Sequence, residues 1–185
     1  MFINAGPTIE PIDPVRYISN YSTGKMGIAL ATEAAALGAD VTLVLGPVNT
    51  KPSDPSIKII DVRTAAEMYD ASAEAFAHCR IGILSAAVAD FTPAEKAESK
   101  MKRGEGDIFL SLKPTLDIAA HLGKMKRKDQ ILAGFALETD NEIENAKGKL
   151  KKKNLDLIIL NSLREKGAGF GTDTNKITMI DINNN

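Results

Sequence analysis

Gly6, Ser22, Gly24, Lys25 and Gly27 are the residue types with which a chain holds phosphate, and they flank a single loop near the start of the sequence. Glycines let backbone N–H groups approach an anion. A helix N-terminus adds unpaired donors and a favourable dipole. Lys25 and the hydroxyls of Ser22 and Thr23 would contribute charge and hydrogen bonds. Gly24 and Gly27 could equally serve tight packing of a helix on a strand, so both readings stand. Two motifs nearly fit and fail. A P-loop would need glycine at 19 and a hydroxyl residue at 26, where the chain has Ser19 and Met26. Tyr21 and Lys25 have the spacing of a short-chain reductase pair, but they precede the first helix instead of following a later strand. A strict Gly-x-Gly-x-x-Gly turn is also absent.

Further along, each reactive type has a chemical and a bland reading. The Arg16 guanidinium suits a phosphate through paired donors, or forms a surface ion pair with Asp13. Asn20 could donate its amide to a carbonyl, or simply shape a turn. Ala86 is small enough for substrate to approach backbone, and also small enough merely to pack. Asp90 stands where a strand should end. Lys100 lies in Ser99-Lys100-Met101-Lys102-Arg103, a run that reads on composition as solvated charge. Lys149 and Lys153 share a helix face, and cations near a helix C-terminus are stabilising in their own right. Phe135 after Gly134 fits a core position as well as a ring-stacking one. His78 and His121 have no partner pattern and read as helix-surface residues, and Cys79 as a small buried hydrophobe.

The elements that must position these residues alternate between short apolar runs and amphipathic stretches, the pattern of a parallel sheet covered by helices. Strands are expected at residues 2–4, 41–45, 57–62, 81–89, 130–136, 155–160 and 176–182. Helices are expected from a Ser22 or Thr23 cap to Leu37, from a Thr64–Glu67 capping box to about Ala77, over 117–125 and over 142–153. Gly38 ends the first helix in the left-handed conformation. Residues 6–21, with Pro7, Pro11 and Pro14, read as a long loop. Residues 108–112 alternate weakly and suit a hairpin with a sheet edge or a partner chain. The expected fold class is α/β, a Rossmann-like three-layer sandwich with a mostly parallel central sheet, in one domain over residues 1–185.

Composition narrows the classes. The chain has 185 residues, enough to bury a core without staples, and a formal net charge of −1, which argues against a dedicated nucleic-acid binder. One cysteine can form neither an intrachain disulfide nor a cysteine-based zinc site, and suits a reducing cytoplasm. No leader and no long apolar span is visible, so no membrane role is expected. The abrupt start suits either a stand-alone chain or a domain of a longer polypeptide.

The block from Ala5 through Gly6-Pro7-Thr8, Glu10-Pro11-Ile12-Asp13-Pro14-Val15-Arg16-Tyr17-Ile18-Ser19-Asn20 to Ser22-Thr23-Gly24-Lys25-Met26-Gly27 resembles phosphopantothenate–cysteine ligase (phosphopantothenoylcysteine synthetase) of the bacterial type. Ser85-Ala86-Ala87-Val88-Ala89-Asp90, Gly134-Phe135-Ala136-Leu137-Glu138-Thr139 and Lys153-Asn154-Leu155-Asp156 resemble later blocks of that family, in the same order. The resemblance implies a two-step reaction of coenzyme A biosynthesis. The carboxylate of 4′-phosphopantothenate attacks the α-phosphate of CTP, giving an acyl-cytidylate and pyrophosphate. The cysteine amine then displaces the nucleotide to form an amide. Mg²⁺ is implied, held largely by substrate phosphates and water, with no metal ligand assigned to the protein.

By the same resemblance, Lys100 stabilises the first transition state and Asn20 serves conversion of the intermediate. Arg16 binds the pantothenate phosphate and Ala86 lines the substrate site. Gly6, Ser22, Gly24, Lys25, Gly27, Asp90, Leu116, Asp117, Ile118, Phe135, Lys149 and Lys153 hold the nucleotide. Leu116 is a departure, since many relatives have proline there. The resemblance also implies a homodimer, with 108–112 a candidate exchanged segment, and frequent fusion to a flavin-dependent decarboxylase. A nucleotide-cofactor oxidoreductase on the same fold and a non-catalytic nucleotide-binding module are the competing classes.

Overall fold

A computed structural model describes residues 1–104, 106–138, 140–162 and 174–183. Thr139, part of one block quoted above, and Glu105 of the charged loop lie outside the described residues.

Seven strands form one sheet: β1 (Phe2–Ala5), β4 (Thr42–Leu45), β5 (Lys58–Asp61), β6 (Ile81–Leu84), β9 (Ile131–Glu138), β10 (Leu157–Ser162) and β11 (Ile177–Asp181). Their spatial order is β11-β10-β9-β6-β1-β4-β5. All neighbours pair in parallel except β10 with β11, which is antiparallel. Chain progress reverses across the β1–β6 boundary, and an α/β sheet opens a binding crevice at such a switch point.

The helices are α1 (Lys25–Ala36), α2 (Ala65–Ala77), α3 (Ile118–Met125) and α4 (Glu142–Lys152). Side-chain alternation along the strands builds two cores. Phe2, Val44 and Leu84 face α2, α3 and α4 through Met68, Phe76, Leu122 and Leu150. Ile3, Ala5, Leu43 and Leu45 face α1 through Ala31. The result is the expected α/β three-layer sandwich, with one helix on one face and three on the other among the described residues. No helix among the described residues is long and apolar enough to cross a membrane.

The capping box is present as read: Thr64 Oγ1 accepts the Glu67 N–H at 3.2 Å, and the Glu67 carboxylate returns to the Thr64 N–H. Gly38 has φ +87° after α1. Four local expectations change. The N-cap of α1 is Gly24 at φ +75°, not Ser22 or Thr23, and no side chain caps it; Ser22 Oγ accepts the Gly24 N–H at 3.3 Å instead. The strand expected over 81–89 stops at Leu84, because the Asn4 side chain takes the next two N–H groups. Residues 108–111 are not strand; β8 (Leu112–Pro114) starts where that segment was expected to end, and pairs with β7 (Phe91–Pro93).

The proline-bearing stretch read as a loop folds into an antiparallel hairpin, β2 (Ile9–Pro11) with β3 (Tyr17–Ser19). Asp13 at its tip accepts the Val15 and Arg16 N–H groups, each at 2.8 Å, which closes the turn.

Candidate active site

β1 carries a polar residue in an apolar strand. Asn4 is 2% exposed, and its Oδ1 accepts the Ser85 N–H at 2.9 Å and the Ala86 N–H at 3.0 Å. An oxygen accepting two N–H groups fixes the amide orientation, so Nδ2 is the donor that remains. The Asn4 side chain thus interrupts the regular ladder at the switch point, and the two segments pair again at Pro7 and Ala87. A cleft of about 350 Å³ opens there, and Asn4, Leu84, Ala86 and Val88 form one side of its lining. Asp90, Thr115, Leu116, Asp117, Ile118, Ala119, Phe135 and Lys153 complete it. Polar surface predominates in this lining, beside one aromatic and several apolar side chains, which suits a small polar ligand.

Seven residues singled out from sequence therefore meet in one cleft: Ala86, Asp90, Leu116, Asp117, Ile118, Phe135 and Lys153. Asp117 caps α3, its Oδ1 accepting the Ala120 N–H at 3.0 Å, while Oδ2 lies 3.2 Å from Lys153 Nζ. Desolvation, the largest single influence, pushes the Asp117 carboxyl up. The Ala120 N–H and the charges of Lys153 and Lys152 together outweigh it and hold the group below its ordinary range. Thr115, the first residue of the turn through Ile118 that the resemblance assigns to the nucleotide, locks this wall to the next: its Oγ1 donates to the Ala89 carbonyl at 2.6 Å and its N–H to the Asp90 carbonyl at 2.9 Å.

The glycine-bounded loop adjoins the cleft. Gly6 has φ +80°, and a Cβ on Gly24 would meet Gly6 Cα at 3.3 Å. The uncapped start of α1 therefore stands against the end of β1. Gly27 serves packing: a Cβ there would come 2.4 Å from Ala5 Cβ. Ala87 N–H donates to the Gly6 carbonyl at 2.9 Å and Asn20 Nδ2 donates to the Ala87 carbonyl at 2.9 Å, so both limbs are tied to the cleft wall. Thr8, buried and missed from sequence, accepts the Ala89 N–H on its Oγ1 at 2.9 Å.

Arg16, Lys100 and Lys149 are not in the cleft lining. Lys149 Nζ lies 2.6 Å from Glu138 Oε1, on a carboxylate side chain only 12% exposed. Arg16 binds Asp13 through Nε at 3.0 Å and Nη2 at 2.5 Å, and Nη2 also donates to the Met101 carbonyl at 2.8 Å. The ion pair weighed from sequence is therefore present, but it is not a surface pair, since the Asp13 side chain is fully enclosed. The Arg16 guanidinium above all, then the Val15, Arg16 and Met101 N–H groups, hold the Asp13 carboxyl far below its ordinary range against the effect of burial. Lys100 is exposed, next to Met101. His78 ends α2 as its C-cap, and His121 stacks against Tyr69 with ring centroids 4.6 Å apart. Cys79 is partly buried, its thiol pushed up by desolvation.

Asn4 left one visible signal in the sequence, a carboxamide inside the run Phe2-Ile3-Asn4-Ala5 just before the loop glycine. Thr8 left none as a site residue, because its partner is a distant backbone group.

The comparisons with known proteins agree with this geometry. Residues 1–185 match the model of the DNA/pantothenate metabolism flavoprotein C-terminal domain family. The coenzyme A biosynthesis bifunctional protein CoaBC of Bacillus subtilis (strain 168) is 49% identical over 178 residues, which are 96% of this chain and 44% of that protein. A protein of an unknown prokaryotic organism, named cysteine/cysteine sulfinic acid decarboxylase, is 67% identical over 185 residues, all of this chain and 52% of that protein. The chain thus spans about half the length of the curated relatives it matches. The crystal structure of the C-terminal domain of a CoaBC protein superposes with a TM-score of 0.83 at 38% identity, covering 100% of this chain and 82% of that one.

Proposed function

This chain belongs to the DNA/pantothenate metabolism flavoprotein C-terminal domain family, and from that membership we propose that it is a single nucleotide-binding ligase domain, a phosphopantothenate–cysteine ligase of coenzyme A biosynthesis that uses CTP in the cytoplasm. The observation that carries the reading is the convergence of Ala86, Asp90, Asp117, Phe135 and Lys153 on one cleft at the switch point of the sheet. These are positions that the family resemblance assigns to nucleotide and substrate.

The 4′-phosphopantothenate carboxylate attacks the α-phosphate of CTP, and pyrophosphate leaves. The cysteine amine then attacks the acyl carbon of the acyl-cytidylate, and CMP leaves as the amide forms. Both steps spread negative charge on oxygen, so cations and oriented donors lower the barriers. Lys153 supplies charge at the cleft. The first-turn N–H groups of α1, which have no side-chain cap, supply donors beside Gly6 and Gly24. Lys25 stands at the same turn, Lys100 approaches from the loop that Met101 anchors, and Asn20 orients the acyl group from its place on the Ala87 carbonyl.

Among the described residues no group of three or more His, Cys, Asp or Glu could hold a metal ion. Mg²⁺ would be carried by the triphosphate and water, with Asp90 the carboxylate on the cleft wall available to its shell. The metal would neutralise phosphate charge. The relatives named bifunctional support association with a flavin-dependent decarboxylase portion. A homodimer is supported by the exposed apolar segment around Phe109, which is 91% exposed.

One assay tests the reading. Pyrophosphate release is followed with CTP, ATP or NADPH, with and without 4′-phosphopantothenate and cysteine. Release that needs 4′-phosphopantothenate and CTP is expected; no release with either triphosphate from folded protein overturns the ligase. The 67% identical relative's name motivates one further arm, cysteine alone with detection of carbon dioxide, where no evolution is expected.

A further inference from the structure

Beside Lys100, the loop is fastened to the hairpin through the buried Asp13 carboxylate and its partner Arg16. Asp13 Oδ2 accepts the Met101 N–H at 3.1 Å, and Arg16 Nη2, itself on that oxygen, donates to the Met101 carbonyl at 2.8 Å. Met101 is thus gripped on both its backbone groups by one ion pair. The next fastening along the loop is the Ala97 N–H on the Ile12 carbonyl at 2.9 Å, again on the hairpin. Between these two points lie Glu98, Ser99 and Lys100, which are exposed. The Asp13 side chain has no exposure of its own and receives every donor it can reach from this loop and its own turn.

We propose that Asp13 is the positioning residue for Lys100: with Arg16 it grips Met101 and so sets where the neighbouring ammonium is presented. The Lys100 side chain keeps its own rotamers, while the backbone that launches it has one address. Arg16 becomes the shared element. The same guanidinium that the resemblance assigns to the substrate phosphate holds the loop, so an anion drawing Nη2 away from the Met101 carbonyl would alter the placement of Lys100. This inference rests on the ligase reading for the role of Lys100, but the anchor itself does not.

Two variants isolate the grip. Asp13→Asn removes the charge at constant size. Met101→Pro removes the N–H that Asp13 accepts, together with the half-buried methionine side chain, narrows the backbone of Lys100, and leaves the hairpin's own hydrogen bonds in place. Each is expected to lower kcat for pyrophosphate release roughly ten- to a hundredfold, the scale of a misplaced catalytic group, with KM for CTP within about twofold. In a Lys100→Gln background Met101→Pro is expected to add no further loss, because neighbours acting through one group are not additive. A multiplicative loss in the double variant, or unchanged kcat in Met101→Pro, overturns the proposal. Amide hydrogen exchange reads the anchor without activity. Met101 should be protected in the parent and unprotected in Asp13→Asn; an unprotected Met101 amide in the parent overturns the proposal even if the ligase reading has failed on its own assay.

Discussion

Lys153 Nζ lies 3.2 Å from Asp117 Oδ2 on the wall of the cleft, so the cation best placed for an incoming anion already has a partner. Asp117 is at once the N-cap of α3 and the counter-charge of Lys153. Asp117→Asn should preserve the cap, since asparagine caps as well as aspartate, and release Lys153. Exposed ion pairs are worth about 1 kcal/mol or less, so unfolding stability should barely move. CTP affinity measured calorimetrically should rise by up to about fivefold, the equivalent of that energy. Asp117→Ala should lose about 1 kcal/mol through the cap. Weaker CTP binding in Asp117→Asn would show that the carboxylate contacts ligand directly.

Gly27 and Lys25 share a turn but have separable jobs. A methyl on Gly27 would press on Ala5 Cβ at 2.4 Å, so Gly27→Ala should cost about 1–3 kcal/mol by overpacking, read by chemical denaturation. Lys25→Gln should weaken CTP binding, because its charge stands at the helix start. Equal stability of Gly27→Ala and the parent would refute the packing role.

The Asn4 carboxamide divides its work between fold and cleft. Asn4→Leu strips the acceptor from the Ser85 and Ala86 N–H groups and should cost about 1–3 kcal/mol in urea unfolding. Asn4→Asp keeps that acceptor but buries a carboxylate in place of Nδ2, so it should unfold at a lower midpoint than the parent and bind CTP more weakly. If Asn4→Asp binds CTP as the parent does, the remaining donor has no ligand role.

Acid should reveal the Asp13 carboxylate. Its folded pKa is depressed, mainly by Arg16, so its contribution is fully present above the ordinary carboxylate range and is lost as pH falls through the folded value. Asp117, also depressed, acts with the same sign. Stability of the parent should therefore decline steeply below the ordinary carboxylate range, and Asp13→Asn should show a shallower decline from a lower starting stability. Parallel pH profiles for parent and variant would contradict this.

Much of the architecture was legible because it depends on neighbours in sequence. The Thr64–Glu67 box, the Gly38 stop and the apolar runs of β4 and β10 each follow from residues a few positions apart, and the mostly parallel sheet follows from their alternation with helices. The site was legible less evenly. Ala86, Asp90, Asp117, Phe135 and Lys153 were nameable through family resemblance, yet their residue types alone supported bland readings equally well. Gly27 shows why: the glycine that looked like a phosphate turn is required by Ala5, and composition carries no distance.

By itself the sequence determined the α/β class, the position of most elements and a set of candidate residues, since local periodicity and capping are short-range effects. Only the tertiary structure decided that Asn4 ends β6, that Lys149 pairs with Glu138 outside the cleft lining, and that Asp13 reaches Met101 across 88 residues of chain. Those outcomes depend on buried donors and acceptors finding partners wherever loops happen to bring them. Such pairing is compulsory in a folded interior, but its address is written in the path of the backbone and not in the spacing of residues.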